Sequence, residues 1–160
     1  MEKMELLAIN ENLKIGVPMG FLVMDDEERE ALAKGQTAPA WCMADEDRHL
    51  LVSSSWKSIP KWASIVLGTK DMAKNMRKRY GESANDAGYK LGSLRKFNIG
   101  KETAYGYPFT YVAEGINMCG DSIVVKKGNT YYFFHSYYRE SLKNIYEPML
   151  EEIYSSICIE

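Results

Sequence analysis

Thr130-Tyr131-Tyr132-Phe133-Phe134-His135-Ser136-Tyr137-Tyr138 is the stretch that decides the fold. It holds six of the chain's sixteen Tyr and Phe residues. With a side-chain period of two, those aromatics fall on both faces of a strand. A strand that is apolar on both faces reads as an inner strand sandwiched between layers. Just before it, Gly128-Asn129 suits a primed hairpin turn, which makes Ile116 to Lys126 its predicted partner strand. After it, Asn144 to Ile157 is predicted as an amphipathic helix, with Ile145, Met149, Ile153 and Ile157 in one stripe flanked by Tyr146, Leu150 and Tyr154. Asn144, three residues before Glu147, resembles a capping arrangement, and Pro148 lies early enough in the helix to be tolerated.

Toward the N-terminus, Leu91 to Ile99 and Glu102 to Ala113 read as two further strands joined by Asn98-Ile99-Gly100-Lys101. A helix is predicted from Thr69 as N-cap, with Met72, Met76 and Tyr80 recurring every four residues, fading near Gly81 to Ala87. Ile59 to Gly68 has no clear pattern, although Pro60 excludes a central strand position there. Trp41 to Ala44 and Leu50 to Trp56 read as paired strands around the polar turn Asp45-Glu46-Asp47-Arg48. Asp25 to Gly35 suits a short helix, because its early acids and late Lys34 oppose the helix dipole and Gly35 stops it. Glu5 to Ile9 reads as a short strand, and Leu13, Ile15 and Val17 alternate as in a half-buried strand that Pro18 ends.

Sequential hairpins with helices at the start, middle and end give an α+β fold: an antiparallel β-sheet packed by helices. At 160 residues the chain is expected to form a single domain over 1–160, large enough to bury roughly 70% of its unfolded surface. A net charge of −2 gives no global attraction to nucleic acid. The apolar run after the charged N-terminus spans only Leu6 to Ile9, too short for a secretory core or a membrane span. A cytoplasmic location is the expectation. Cys42, Cys119 and Cys158 are odd in number and widely spaced, which reads as reduced thiols rather than a disulfide framework.

The order of elements resembles the PsbP-like superfamily, which includes photosystem extrinsic subunits, a nuclear-import GTPase-binding protein and bacterial DcrB-like proteins of unknown function. The residues that carry the likeness are Val17-Pro18-x-Gly20-Phe21, Gly106-Tyr107-Pro108-Phe109, the Gly-Asn turn with its Tyr-Tyr-Phe strand, and the terminal helix from Tyr146 to Ile157. The resemblance implies a PsbP-like α/β/α sandwich that acts by binding proteins. It carries over no individual binding residue.

Patterns for chemistry are weak. His49 and His135 are isolated, with no Cys-x-x-Cys or His-x-x-x-His spacing, so no metal site is expected. Cys42 lies seven residues before His49 across a presumed hairpin, but within Trp41-Cys42-Met43 a small buried hydrophobe is its ordinary role. Ser53-Ser54-Ser55 lacks a nucleophile elbow, and the glycines fall singly at predicted turns instead of in a phosphate loop. No catalytic residue and no cofactor is therefore assigned.

Two surface features remain. Lys70 to Arg79 carries five basic residues and one acid on one short helix, a solvated face or a contact for an acidic partner. Trp56 and Trp62 bracket Lys57-Ser58-Ile59-Pro60-Lys61, where tryptophans either pack in the core or anchor a partner. The expected function is a non-catalytic cytoplasmic protein-binding or adaptor domain. Its candidate surface comprises Trp56, Lys57, Lys61, Trp62, Lys70, Lys74, Arg77 and Lys78. The alternatives are a small-molecule or lipid-like ligand carrier with a pocket between sheet and helices, and an enzyme built on Cys42 or His135.

Overall fold

In the computed structural model, residues 3–33, 37–83 and 88–160 are described. In chain order they form β1 (Met4–Ala8), β2 (Leu13–Pro18), β3 (Leu22–Val23), α1 (Asp26–Ala33), β4 (Trp41–Ala44), β5 (Leu50–Ser58), α2 (Lys61–Val66) and α3 (Thr69–Ser83). There follow β6 (Lys90–Leu91), β7 (Arg95–Ile99), β8 (Glu102–Ala113), β9 (Ile116–Lys127), β10 (Thr130–Arg139), a 3₁₀ turn (Glu140–Leu142), α4 (Lys143–Ser156) and β11 (Cys158–Ile159). The predicted stop of α1 at Lys34 and Gly35, and much of the predicted fade of α3, lie outside the described residues. Among the described residues no helix is long and apolar enough to cross a membrane.

The fold is α+β. Eight strands form one antiparallel sheet in the order β3-β4-β5-β10-β9-β8-β6, with β7 also paired to β8; β1, β2 and β11 make a second, smaller sheet. The aromatic strand is central, as its two-faced pattern requires. Tyr132, Phe134 and Tyr138 point into a core shared with α4 and β2, while Tyr131 packs with Met72, Ala73 and Met76 of α3. The turn at Gly128-Asn129 is a two-residue hairpin: Gly128 has φ +63°, and Thr130 opposes Lys127.

Several local expectations shift by a residue or a face. Gly68, not Thr69, caps α3: its carbonyl accepts from Met72 N and its N–H donates to the Asp71 carboxylate at 3.1 Å. Asn144 lies inside α4, whose N-cap is Leu142, so it caps nothing. The buried stripe of α4 is Tyr146, Leu150, Ile153 and Tyr154, and Ile145 is left 59% exposed. The burial centres on the tyrosines because Tyr146 reaches across to donate to Asp45 Oδ2 at 2.6 Å. Pro148 sits past the first turn and removes one helical N–H, on a side where Asn144, Glu147 and Pro148 itself face water. The chain leaves the helix at Ile157 and adds β11 beside β2, a strand the helical pattern hid.

Leu91 to Ile99 is two strands, not one. Leu91 pairs with Phe109 and Arg95 with Gly106, so the register slips by one residue between them. The break falls opposite Pro108, whose carbonyl accepts from Gly92 N at 2.7 Å but whose ring nitrogen has no hydrogen to return. A side chain at Gly92 would meet Pro108 Cγ at 2.6 Å, so glycine is required at the slip.

Candidate interaction surface

The segment without a sequence pattern, Ile59 to Gly68, holds three of the four most exposed large apolar side chains among the described residues, Met19 being the fourth. It forms α2 with Pro60 at the N-cap, its fixed φ suiting a helix entry. Six residues make too short a helix to stand alone. This one is fastened from beneath. Ser64 Oγ donates to Gly128 O at 3.1 Å. The carbonyls at its C-terminal end accept from the Lys126 ammonium (Ser64 O and Leu67 O) and from the Tyr131 hydroxyl (Leu67 O). A cation and a hydroxyl at that end satisfy orphan carbonyls and oppose the helix dipole.

With Ser64 turned inward, positions i, i+3 and i+4 of the outer face are Trp62, Ile65 and Val66, which are 75%, 79% and 77% exposed. Lys61 shares that face and is exposed. Residues 57–79 carry seven basic side chains and one acid, so the other residues hold thirteen basic side chains against twenty-one acids. An apolar knob thus stands in a positive patch on an otherwise acidic chain.

The eight residues expected at the surface separate. Lys61 and Trp62 lie on α2, and Lys70, Lys74 and Lys78 are exposed along α3. Lys57 lies on the α3 side of the sheet, opposite Tyr131. Trp56 is a neighbour in sequence but points to the other face, where it packs half-buried against the core under α4. Arg77 is half-buried, and its Nε donates to Gly92 O at 2.8 Å and its Nη2 to Leu91 O at 3.3 Å. It therefore ties α3 to the edge strand at Leu91 and Gly92, where β6 ends. The tryptophan bracket does not exist as a surface: Trp62 belongs to it, Trp56 to the core, and Ile65 and Val66 replace it.

Beside Lys57 the sheet and α3 enclose a groove of about 210 Å³ lined by Lys57, Met72, Met76, Arg79, Tyr80 and Phe133. A second depression, of about 500 Å³, lies at the ends of β1 and β2, where Met4, Pro18 and Phe21 meet one lysine and one glutamate.

The groups considered for chemistry occupy a polar row that crosses the sheet under α3. Tyr107, Ser122, His135, Ser53 and Cys42 are successive cross-strand partners. Ser122 Oγ and His135 Nδ1 are 2.8 Å apart, and burial lowers His135 to about 4, holding the ring neutral. Cys42 pairs with Ser53, while His49 sits in the turn where Asp45 Oδ1 accepts from His49 N at 2.6 Å. Two strand spacings, about 10 Å, separate Cys42 from His135. Burial pushes the Cys42 thiol up to about 12, away from the thiolate a nucleophile needs.

The whole arrangement matches solved structures along its full length. Cyanobacterial PsbP (CyanoP) from Synechocystis sp. superposes with a TM-score of 0.71 at 14% identity, covering 100% of this chain and 94% of that one. The fold is the PsbP-like fold. The Ran-binding protein Mog1p of Saccharomyces cerevisiae shares it at a TM-score of 0.60 and 9% identity, over 99% and 96% of the two chains. LpqN of Mycobacterium tuberculosis, involved in cell envelope biogenesis, matches at 0.58 and 12% identity, over 98% and 90%. No protein-family model and no curated protein sequence matches the chain. The stretch Val17-Pro18-x-Gly20-Phe21 lines the depression at β1 and β2, and Gly106-Tyr107-Pro108-Phe109 contains the proline that breaks the edge strand.

Proposed function

We propose that this chain is a non-catalytic, cytoplasmic protein-binding or adaptor domain that engages its partner through the outer face of α2. The observation that carries the reading is the solvation of Trp62, Ile65 and Val66 on a helix pinned to the sheet. Exposing three large apolar side chains together is costly to solubility, and such patches mark interaction sites. A tryptophan at the centre and lysines at the rim match the usual anatomy of a binding hot spot. The partner presents an apolar cleft edged with acids. The PsbP-like fold supports the same reading, because Mog1p, built on it, is a Ran-binding protein. Three cysteines without disulfides agree with a reducing compartment.

The experiment is a quantitative capture from the native host with wild type and with the Trp62→Ala/Ile65→Ser variant, followed by titration of the captured protein in purified form. The variant is expected to melt with wild type and to lose about tenfold or more in affinity. Equal affinity of the two proteins would remove α2 as the contact.

A further inference from the structure

In the small sheet β1 is bonded along one side only. It pairs with β2 in a regular one-to-one register, from Met4 opposite Pro18 to Ala8 opposite Lys14. The bonds just beyond its two ends, Met19 N to Lys3 O at 3.0 Å and Ile9 N to Leu13 O at 2.8 Å, fix which residues face β2. Bonded residues alternate in an antiparallel ladder, so Lys3, Glu5, Leu7 and Ile9 direct their backbone groups at β2. Met4, Leu6 and Ala8 turn theirs the other way, and among the described residues nothing pairs with them. Their side chains share one face, which carries no charge; on it Leu6 is 54% exposed and Ala8 is exposed too. β1 thus presents free donors and acceptors at every second residue, with no bulge and no proline to interrupt them.

We infer that β1 is the contact through which a second copy of this chain binds, antiparallel and about a two-fold axis at Leu6. Free backbone groups at a strand's period are met in full by another extended strand. β1 is itself such a strand, and it complements itself. With Leu6 opposite Leu6 of the second copy, Met4 falls opposite Ala8 and Ala8 opposite Met4, so all three residues become bonded pairs. Side chains match as well: Leu6 covers Leu6 and Met4 covers Ala8, while Lys3 and Glu5 stand opposite Ile9 and Leu7. No like charges face each other directly. Moving the axis to Glu5 would set two carboxylates face to face and leave Ala8 opposite no residue of β1. The product is one continuous sheet, β11-β2-β1-β1-β2-β11, closed by symmetry. The pairing takes no residue from α2, so the dimer carries two α2 faces, and the inference does not rest on α2 binding a protein.

The test is sedentation-free mass measurement by light scattering on the untagged whole chain in reducing buffer, from about 5 to 500 µM. The mass is expected to rise from one chain to two and to stop there. Leu6 N–H faces away from β2, so Leu6→Pro removes no bond of the β1–β2 ladder and should leave a folded single chain. Leu6→Lys, which sets two ammonium groups across the axis, should weaken the dimer about tenfold or more while melting with wild type. Amide exchange on wild type alone gives a reading that needs no variant: the Met4, Leu6 and Ala8 amides should slow about tenfold as the dimer fills. A single-chain mass at every concentration overturns the inference. So does a dimer in which those three amides exchange as freely as in the single chain, or one that both Leu6 variants leave intact. A dimer lost in Trp62→Ala/Ile65→Ser and kept in the Leu6 variants also overturns it and moves self-association to α2. Partner capture by α2 is measured apart from mass, so failure of one reading is distinct from failure of the other.

Discussion

Arg77→Ala separates architecture from recognition on the basic helix. In sequence Arg77 is one of five cations on a short helix and looks like its neighbours. In the structure it is half-buried, with its guanidinium on Gly92 O at 2.8 Å and Leu91 O at 3.3 Å. Gly92 O lies opposite Pro108, which has no N–H to return to it, and Leu91 O belongs to the same edge strand. Removing a charged donor from a partly buried acceptor costs roughly 1.5–3 kcal/mol. The shorter bond sits at the low end of that range because water can reach a half-buried strand edge, and the longer one adds about 0.5 kcal/mol, giving about 2 kcal/mol in all. For a chain of this size that is a fall in Tm of about 4–8 °C. Urea unfolding and a thermal scan measure it; Arg77→Lys, which keeps the charge but lacks the fork, should recover less than half. The reasoning fails if Arg77→Ala costs under about 0.5 kcal/mol, or if it weakens partner capture while stability is unchanged.

Other outcomes follow from the same geometry. Gly100→Ala should be unfolded or lose more than about 3 kcal/mol in melts, because its Cβ would lie 1.9 Å from Ile157 O at φ +58°. Gly128→Ala, at φ +63° with open space around it, should cost only about 1 kcal/mol. Tyr146→Phe removes the 2.6 Å bond to Asp45, whose other oxygen holds the turn before β5, and should cost about 1–1.5 kcal/mol by denaturant titration. The pH dependence contains two opposed contributions. Burial holds His135 at about 4 against an ordinary 6.5, so the unfolded chain takes the proton first. Its contribution is complete above about pH 6.5 and is lost as pH falls toward 4. Burial raises Asp121 to about 6 from 3.8, with Arg95 opposing, so its contribution is complete below about 3.8 and is lost as pH rises through 6. Stability curves between pH 4 and 6.5 should therefore gain at the acid end in His135→Gln and lose there in Asp121→Asn, each relative to wild type; two flat difference curves would refute the assignment.

Much of the architecture was legible because it rests on local signals. The two-faced aromatics of β10, the Gly128-Asn129 turn and the four-residue spacing of Met72, Met76 and Tyr80 each specify a neighbour directly. The departures come from contacts distant in sequence. Tyr146 turns α4 toward Asp45, a residue 101 positions away, and leaves Ile145 in water. The strand break at Gly92 is imposed by Pro108, which no reading of Leu91 to Ile99 alone contains. The eight residues expected at the surface do not share one face of the fold. Trp56 and Lys57 are adjacent, yet strand alternation sends them to opposite faces. Ile65 and Val66 carried a signal in their spacing from Trp62, i+3 and i+4, but the six-residue helix that gives the spacing meaning depends on Lys126 and Tyr131 beneath it.

The slip beside Pro108 also bears on how copies of the chain behave at high concentration. A long, flat, unpaired strand at the margin of a sheet is a template on which another molecule can grow. Here the longest strands, β8 and β9, are held inside, and the large sheet stops on one side at the two-residue β3. On the other side it stops at β6 and β7, interrupted at Gly92 and carrying Lys90, Arg95 and Lys96. Neither margin offers a continuous run of matching hydrogen-bond groups, and one repels its own copy by charge. The fold therefore keeps a sheet rich in tyrosine and phenylalanine from polymerising through its edges.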